Sequence, residues 1–372
     1  LVLNGFTLQN SATSVTVDTI FPVSGNITLN GGTIVLDKDF KMFNPLSLVN
    51  FGNITGNLHN FEFCSSTTIL PANAPKFQDT RLVLHNDLTL SGITTFSGTC
   101  SVDGNGYRLT LGNSGLLSVN GQLTLHNVEV DGIGGANVKC ANDSSLLILD
   151  DAIWTQTGDT SFVMGAFQCR GNVIFRGAHT FAYQTLKTSV INANAALVLD
   201  AGFTFSYDPV RLASKTLLSF VDATSELVLN GATLHATTTG LNLTKGSMVV
   251  LGDSGLSSEI KTIGATKIDN GITFGDGVSA SSDFGCDITS GSQLLFSNGS
   301  LNYKNLLSTS WLMENALSAL HMGTATTLRI YNTLNLGLGV ALCEDNVTIA
   351  RVTSAYVLGN VSAINNLFFQ QI

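Results

Sequence analysis

The phrase "SELVLNGATL" at 225–234, an apolar triplet followed by Asn, Asp or Gly, returns along the chain in near copies. "GTIVLDKDF" stands at 32–40, "TRLVLHNDL" at 80–88, "SLLILDDAI" at 145–153, "ALVLDAGFTF" at 196–205 and "SMVVLGDSG" at 247–255. The last apolar residues of the triplets are Leu36, Phe63, Leu84, Leu111, Leu149, Phe175, Leu199, Leu229, Leu251, Phe274 and Phe296. Their spacings are 27, 21, 27, 38, 26, 24, 30, 22, 23 and 22 residues, and the longest gap holds a further strand-like run, "LTLHNVEV", at 123–130. A repeat in the twenties, with short strands separated by turn residues, fits one turn of a parallel β-solenoid with about three strands per coil. The expected fold is therefore all-β, one parallel β-solenoid spanning 1–372.

Seven Asn-Gly pairs, among them Asn30-Gly31, Asn105-Gly106, Asn230-Gly231 and Asn270-Gly271, supply corners that tolerate positive φ. Asn-Gly is also a hairpin signal, but an antiparallel sandwich does not require the same phrase to return at one coil length. The middle residues of the triplets, such as Val35, Val83, Ile148, Val198 and Val228, are mostly aliphatic. The triplets are expected to stack as one continuous parallel sheet, which strand alternation predicts to be apolar on both faces, with a wall open to a packing partner. One stretch departs from the pattern: "NLLSTSWLMENALSALHMG" at 305–323 has Leu306, Leu307, Trp311, Leu312, Ala316, Leu317 and Leu320 near helical spacing, and predicts a helical or irregular insertion.

Composition narrows the function classes. With 17 basic against 26 acidic residues, a net charge of −9 and no basic run, nucleic acid and anionic membrane are not expected partners. No apolar stretch reaches the roughly 18 to 20 residues of a membrane helix. The chain starts at Leu1 without Met or a leader, as expected of a processed or trimmed product. Cys64, Cys100, Cys140, Cys169, Cys286 and Cys343 show no C-x-x-C and no His at zinc-ligand spacing, so neither metal nor cofactor is expected. Cys140 and Cys169 lie about one coil apart, which leaves a bridge between stacked coils open beside the alternative of buried thiols. His59, His85, His126, His179, His235 and His321 are far apart in sequence, but stacked coils could bring some together. Asn-x-Ser/Thr sites at Asn26, Asn53, Asn142, Asn242, Asn298, Asn346 and Asn360 read as corner residues bonding along the axis, or as glycan acceptors in a eukaryotic secretory protein.

Residues 98–132, "GTCSVDGNGYRLTLGNSGLLSVNGQLTLHNVEVDG", resemble the coils of bacterial right-handed β-helix surface proteins: adhesins, autotransporter passengers and the polymorphic outer-membrane type. The likeness lies in G-x-G corners followed by L-x-L and L-x-V, and extends loosely over 25–300. It implies an extracellular or cell-surface stalk, adhesin or surface layer, with surface glycans or host receptors as partners. The tandem short motifs of the polymorphic type are missing.

The leading expectation is a non-enzymatic structural or adhesive solenoid that assembles head to tail, through Leu1, Val2 and Leu3 at one end and Leu367, Phe368, Phe369 and Ile372 at the other. These residues stand where a polar cap is expected. The alternative is a carbohydrate-active β-helix, as polysaccharide lyase, hydrolase or tailspike-like binder. Asp150-Asp151 is the adjacent acid pair such an enzyme would draw on, and it reads more simply as a turn at a strand end.

Overall fold

The computed structural model describes residues 7–10, 33–42, 47–48, 52–69, 75–208, 216–237, 241–251, 258–262, 265–268, 272–274, 287–288, 293–296, 300–303, 312–313, 319–330, 334–351 and 357–371. They form two compact units, 1–169 and 170–372. Each is a parallel β-solenoid.

In the first unit a coil comprises three strands. Lys76–Gln78, Arg81–Leu84 and Leu88–Leu90 make one such coil. In the next coil Ile93–Asp103 bends at Gly98 and serves two walls: Thr95–Ser97 pairs with Lys76–Gln78, and Ser101–Asp103 with Arg81–Val83. Arg108–Leu111 completes the turn beside Leu88–Leu90. The coil after that repeats the design, with Leu116–His126 in unbroken parallel register against Ile93–Asp103. Every rung lies about twenty residues from the last because the chain must travel round all three walls before it returns.

The corners explain the glycines and asparagines. Gly98 (φ 65°) and Gly121 (φ 139°) pair in register and lie on one stacked bend. A Cβ on Gly121 would run into the carbonyl oxygen of Gly98, so the coils can approach only without a side chain there. Gly121→Ala is therefore expected to cost more than about 1 kcal/mol, through both the positive φ and the clash; urea denaturation checks this. Asn105 (φ 49°) and Gly106 (φ 83°) make the expected left-handed corner. The Asn105 side-chain amide donates to the Leu84 carbonyl at 2.9 Å, one coil back, as Asn57 does to Leu36 at 2.9 Å. Backbone carbonyls released at the corners are thus bonded along the axis, which meets the general demand that such groups find partners. Asn30-Gly31 and Asn270-Gly271 lie outside the described residues.

In the second unit one wall runs through Asn172–Arg176, Ala196–Leu199, Glu226–Asn230 and Ser247–Leu251. Leu197 pairs with Leu227 and Leu199 with Leu229, and all four are 0% exposed, as the repeat predicts. Tyr183 and Tyr207 stack at 6.0 Å, and Phe181 sits 5.5 Å from Phe205, so aromatic rows parallel the aliphatic ones.

Three expectations are corrected. The apolar triplets do not share one wall. Phe63 faces Leu84, but Leu111 belongs to another wall, beside Leu90. In the 247–251 strand the residue beside Leu229 is Val250, so Leu251 is not the core marker. The two-sided apolar pattern holds along the row Ile174, Val198, Val228 and Val249 and does not run along every wall. A mostly polar outward row of the first unit runs Lys41, Glu62, Val83, Asp103, His126 and Asp150. Finally, no helix forms in the described part of 305–323: Leu312–Met313 and Ala319–Met322 are strands. Ala319–Met322 pairs with Gln293–Phe296 on one side and with Val340–Cys343 on the other, and two ladders outweigh a local helical preference.

Candidate functional site

The coil that ends in Leu367–Gln371 is the first candidate. Leu367–Gln371 lies parallel to Val347–Arg351, with Leu367 opposite Val347, Phe368 opposite Thr348 and Phe369 opposite Ile349. Val347 and Ile349 are 0% and 1% exposed, and Ile349 in turn sits beside buried Leu328. Alternation therefore puts Leu367 and Phe369 on the core face and Phe368 on the outer face. Phe369 is nevertheless 66% exposed, Phe368 51% and the neighbouring Ile364 73%. Among the described residues, Leu367–Gln371 hydrogen-bonds only to Val347–Arg351, and Val357–Ala363 only to Leu334–Cys343. In the first unit Thr7–Asn10 pairs, among the described residues, only with Thr33–Leu36. The structure so brings Leu367, Phe368 and Phe369 onto one open rung. It adds Ile364, which the sequence reading overlooked because it sits in a turn rather than a strand. Leu1, Val2, Leu3 and Ile372 lie outside the described residues.

The second candidate is the polar row of the first unit. Glu62 is 7% exposed although it points away from the core. Its Oε2 lies 2.9 Å from His85 Nε2 and 3.5 Å from Lys41 Nζ. Ligand atoms of Glu62, Cys64 and His85 all stand within 4.8 Å of one another, as do those of His126, Asp150 and Asp151. His59 faces Asp39 at 3.7 Å, His126 faces Asp150 at 3.5 Å and His321 faces Glu344 at 3.2 Å. Stacking thus brings four histidines each to a carboxylate of an adjoining coil. Two hydrogen bonds from Thr324, its amide at 2.9 Å and its hydroxyl at 3.0 Å, hold the Glu344 carboxyl below the usual range. Linear spacing hid these groups. The ruler that finds them is the coil length, about 21 residues, which sets Cys64 beside His85.

Asp150 closes the strand Leu146–Asp150 and Asp151 follows with φ 49°, the geometry of a strand-end turn. A small hollow beside it, lined by Gly106, Asn127, Val128, Glu129, Asp151 and Ile153, encloses about 100 Å³. Cys140 and Cys169 are thiols and do not bridge. Burial pushes Cys140 up to about 12 and Cys169 higher still, so both serve as small core residues. Asn142 donates its amide to the Asn120 side chain at 2.9 Å, the axial bonding expected of a corner asparagine. No family model, curated protein or solved structure matches this chain.

Proposed function

We propose that this protein is a non-enzymatic, extracellular or cell-surface structural solenoid that adds coil to coil, head to tail, into a fibre. One observation carries the reading: Phe369 occupies a core row yet is 66% exposed. The row is dry at Leu328 and Ile349 and open at Phe369, so it can take a further apolar rung, and a coil of a second copy offers the right backbone edge. Such a contact is heterologous and propagates without closing. The extracellular setting, and any binding of glycans or host receptors by the side walls, rest on the resemblance of the coils at 98–132 to surface proteins.

Negative-stain microscopy and light scattering on the purified chain test this. Filaments that lengthen with concentration are expected; dispersed monomers at high concentration would overturn it. Screened against pectins, uronates and surface glycans, the chain is expected to give background rates. Turnover abolished by Asp150→Asn or Asp151→Asn would promote the carbohydrate-active alternative.

A further inference from the structure

We propose that Glu62, Cys64 and His85 form a binding site for a borderline divalent cation of the Zn²⁺ class. Glu62 and Cys64 are two apart along an extended segment, which places both side chains on one face. The next coil supplies His85: Phe63 pairs with Leu84, and the His85 amide donates to the Phe63 carbonyl at 2.9 Å, so Cys64 and His85 are rung neighbours. Adjacent parallel strands stand about 4.8 Å apart, a separation that two side chains on one face can span around a metal. The three ligand atoms already lie within 4.8 Å of one another. From the bond lengths of zinc, the donors of a tetrahedral site stand roughly 3.4 Å apart, so closure needs side-chain shifts of about an ångström.

The donor set selects the metal class. One thiolate, one imidazole and one carboxylate suit Zn²⁺ and its neighbours rather than Mg²⁺ or Ca²⁺, which take oxygen. Thiolate and carboxylate together neutralise the ion. Cys64 is half-buried and His85 exposed, so the fourth position faces solvent and takes water. Glu62 is held in place by its neighbours, its side chain only 10% exposed. Lys41 opposes binding, with its ammonium 3.5 Å from the same carboxylate oxygen and its side chain 47% exposed. It has room to swing into solvent when the cation arrives. That opposition supplies a test that a merely structural ion-pair network would fail.

The experiment is titration of the full chain with Co²⁺ and then Zn²⁺, in a Cys286→Ser background that removes the thiol outside the described residues. Expected is one Co²⁺ per chain, with near-ultraviolet thiolate-to-cobalt charge transfer and visible bands of tetrahedral intensity, both bleached by Zn²⁺. The charge-transfer band should vanish in Cys64→Ser. Affinity should fall by at least about tenfold in His85→Ala and in Glu62→Gln, and should rise in Lys41→Met. The exposed His85 keeps the test valid even where a Glu62 variant fails to fold. A parent without the band, a band that survives Cys64→Ser, or a Lys41→Met chain that binds no tighter would each overturn the proposal.

Discussion

Leu229→Asp is expected to unfold most of the second unit's central coils. Leu229 lies between Leu199 and Val250 in a row in which all three residues are at most 1% exposed. The substitution deletes a buried aliphatic side chain, worth about 2 to 5 kcal/mol by itself. It also leaves a carboxylate facing apolar rungs on both sides, with no cation on that row. The group escapes only by taking up a proton or by opening the coil, and either adds to the loss. A total of at least about 4 kcal/mol is a large part of the stability of an ordinary domain. In a solenoid the damage spreads to the neighbouring rungs, because each coil is stabilised by the two it touches. Val198→Asp is the control: Val198 belongs to the outward row and is half-buried, so its replacement should shift the urea midpoint far less. Equal shifts for the two variants, or none for Leu229→Asp, would remove the register on which the core assignment rests.

The same strand shows how far the sequence was readable. Repeat length, three strands per coil, left-handed Asn-Gly corners and the Leu197, Leu199, Leu227 and Leu229 rungs all follow from period and turn chemistry. Assigning each phrase to a wall does not. "MVVL" at 248–251 is apolar at every position, so alternation alone leaves two registers, and only stacking on Leu227 and Leu229 selects Met248 and Val250 as the inward pair. Likewise Leu84 and Leu111 end similar phrases but sit on different walls, since a coil carries three apolar strands and spacing does not say which one is being counted. At 319–322 the helical spacing of leucines yielded to two flanking ladders, a tertiary effect with no local signature. The Glu62, Cys64 and His85 group was hidden for a related reason. Its members belong to different coils, and a motif search along the chain measures the wrong distance. Counting in coil lengths recovers it.

The open rung yields the sharpest test of assembly, because Phe368 and Phe369 point in opposite directions and the two roles can be separated. Phe369 continues the row of Leu328 and Ile349, so in a fibre it would be sealed by a core residue of the next copy. Phe369→Asp would place an unpaired carboxylate at the centre of that joint. Burying it costs several kcal/mol, and a loss of about 4 kcal/mol lowers an association constant by roughly a thousandfold. Filaments should then disappear at concentrations where the parent chain forms them. Phe368 stands on the outer face beside Thr348, so it lines the rim of the joint. At a rim the charge stays hydrated, and Phe368→Asp should weaken assembly far less than the neighbouring change. Because Phe369 is exposed in the isolated chain, its replacement should leave the melting temperature nearly unchanged. Sedimentation and negative-stain microscopy of the two variants, with thermal melts beside them, measure all three quantities. Assembly that withstands Phe369→Asp, or that depends on Phe368 instead, would mean that the last core row is not the joint.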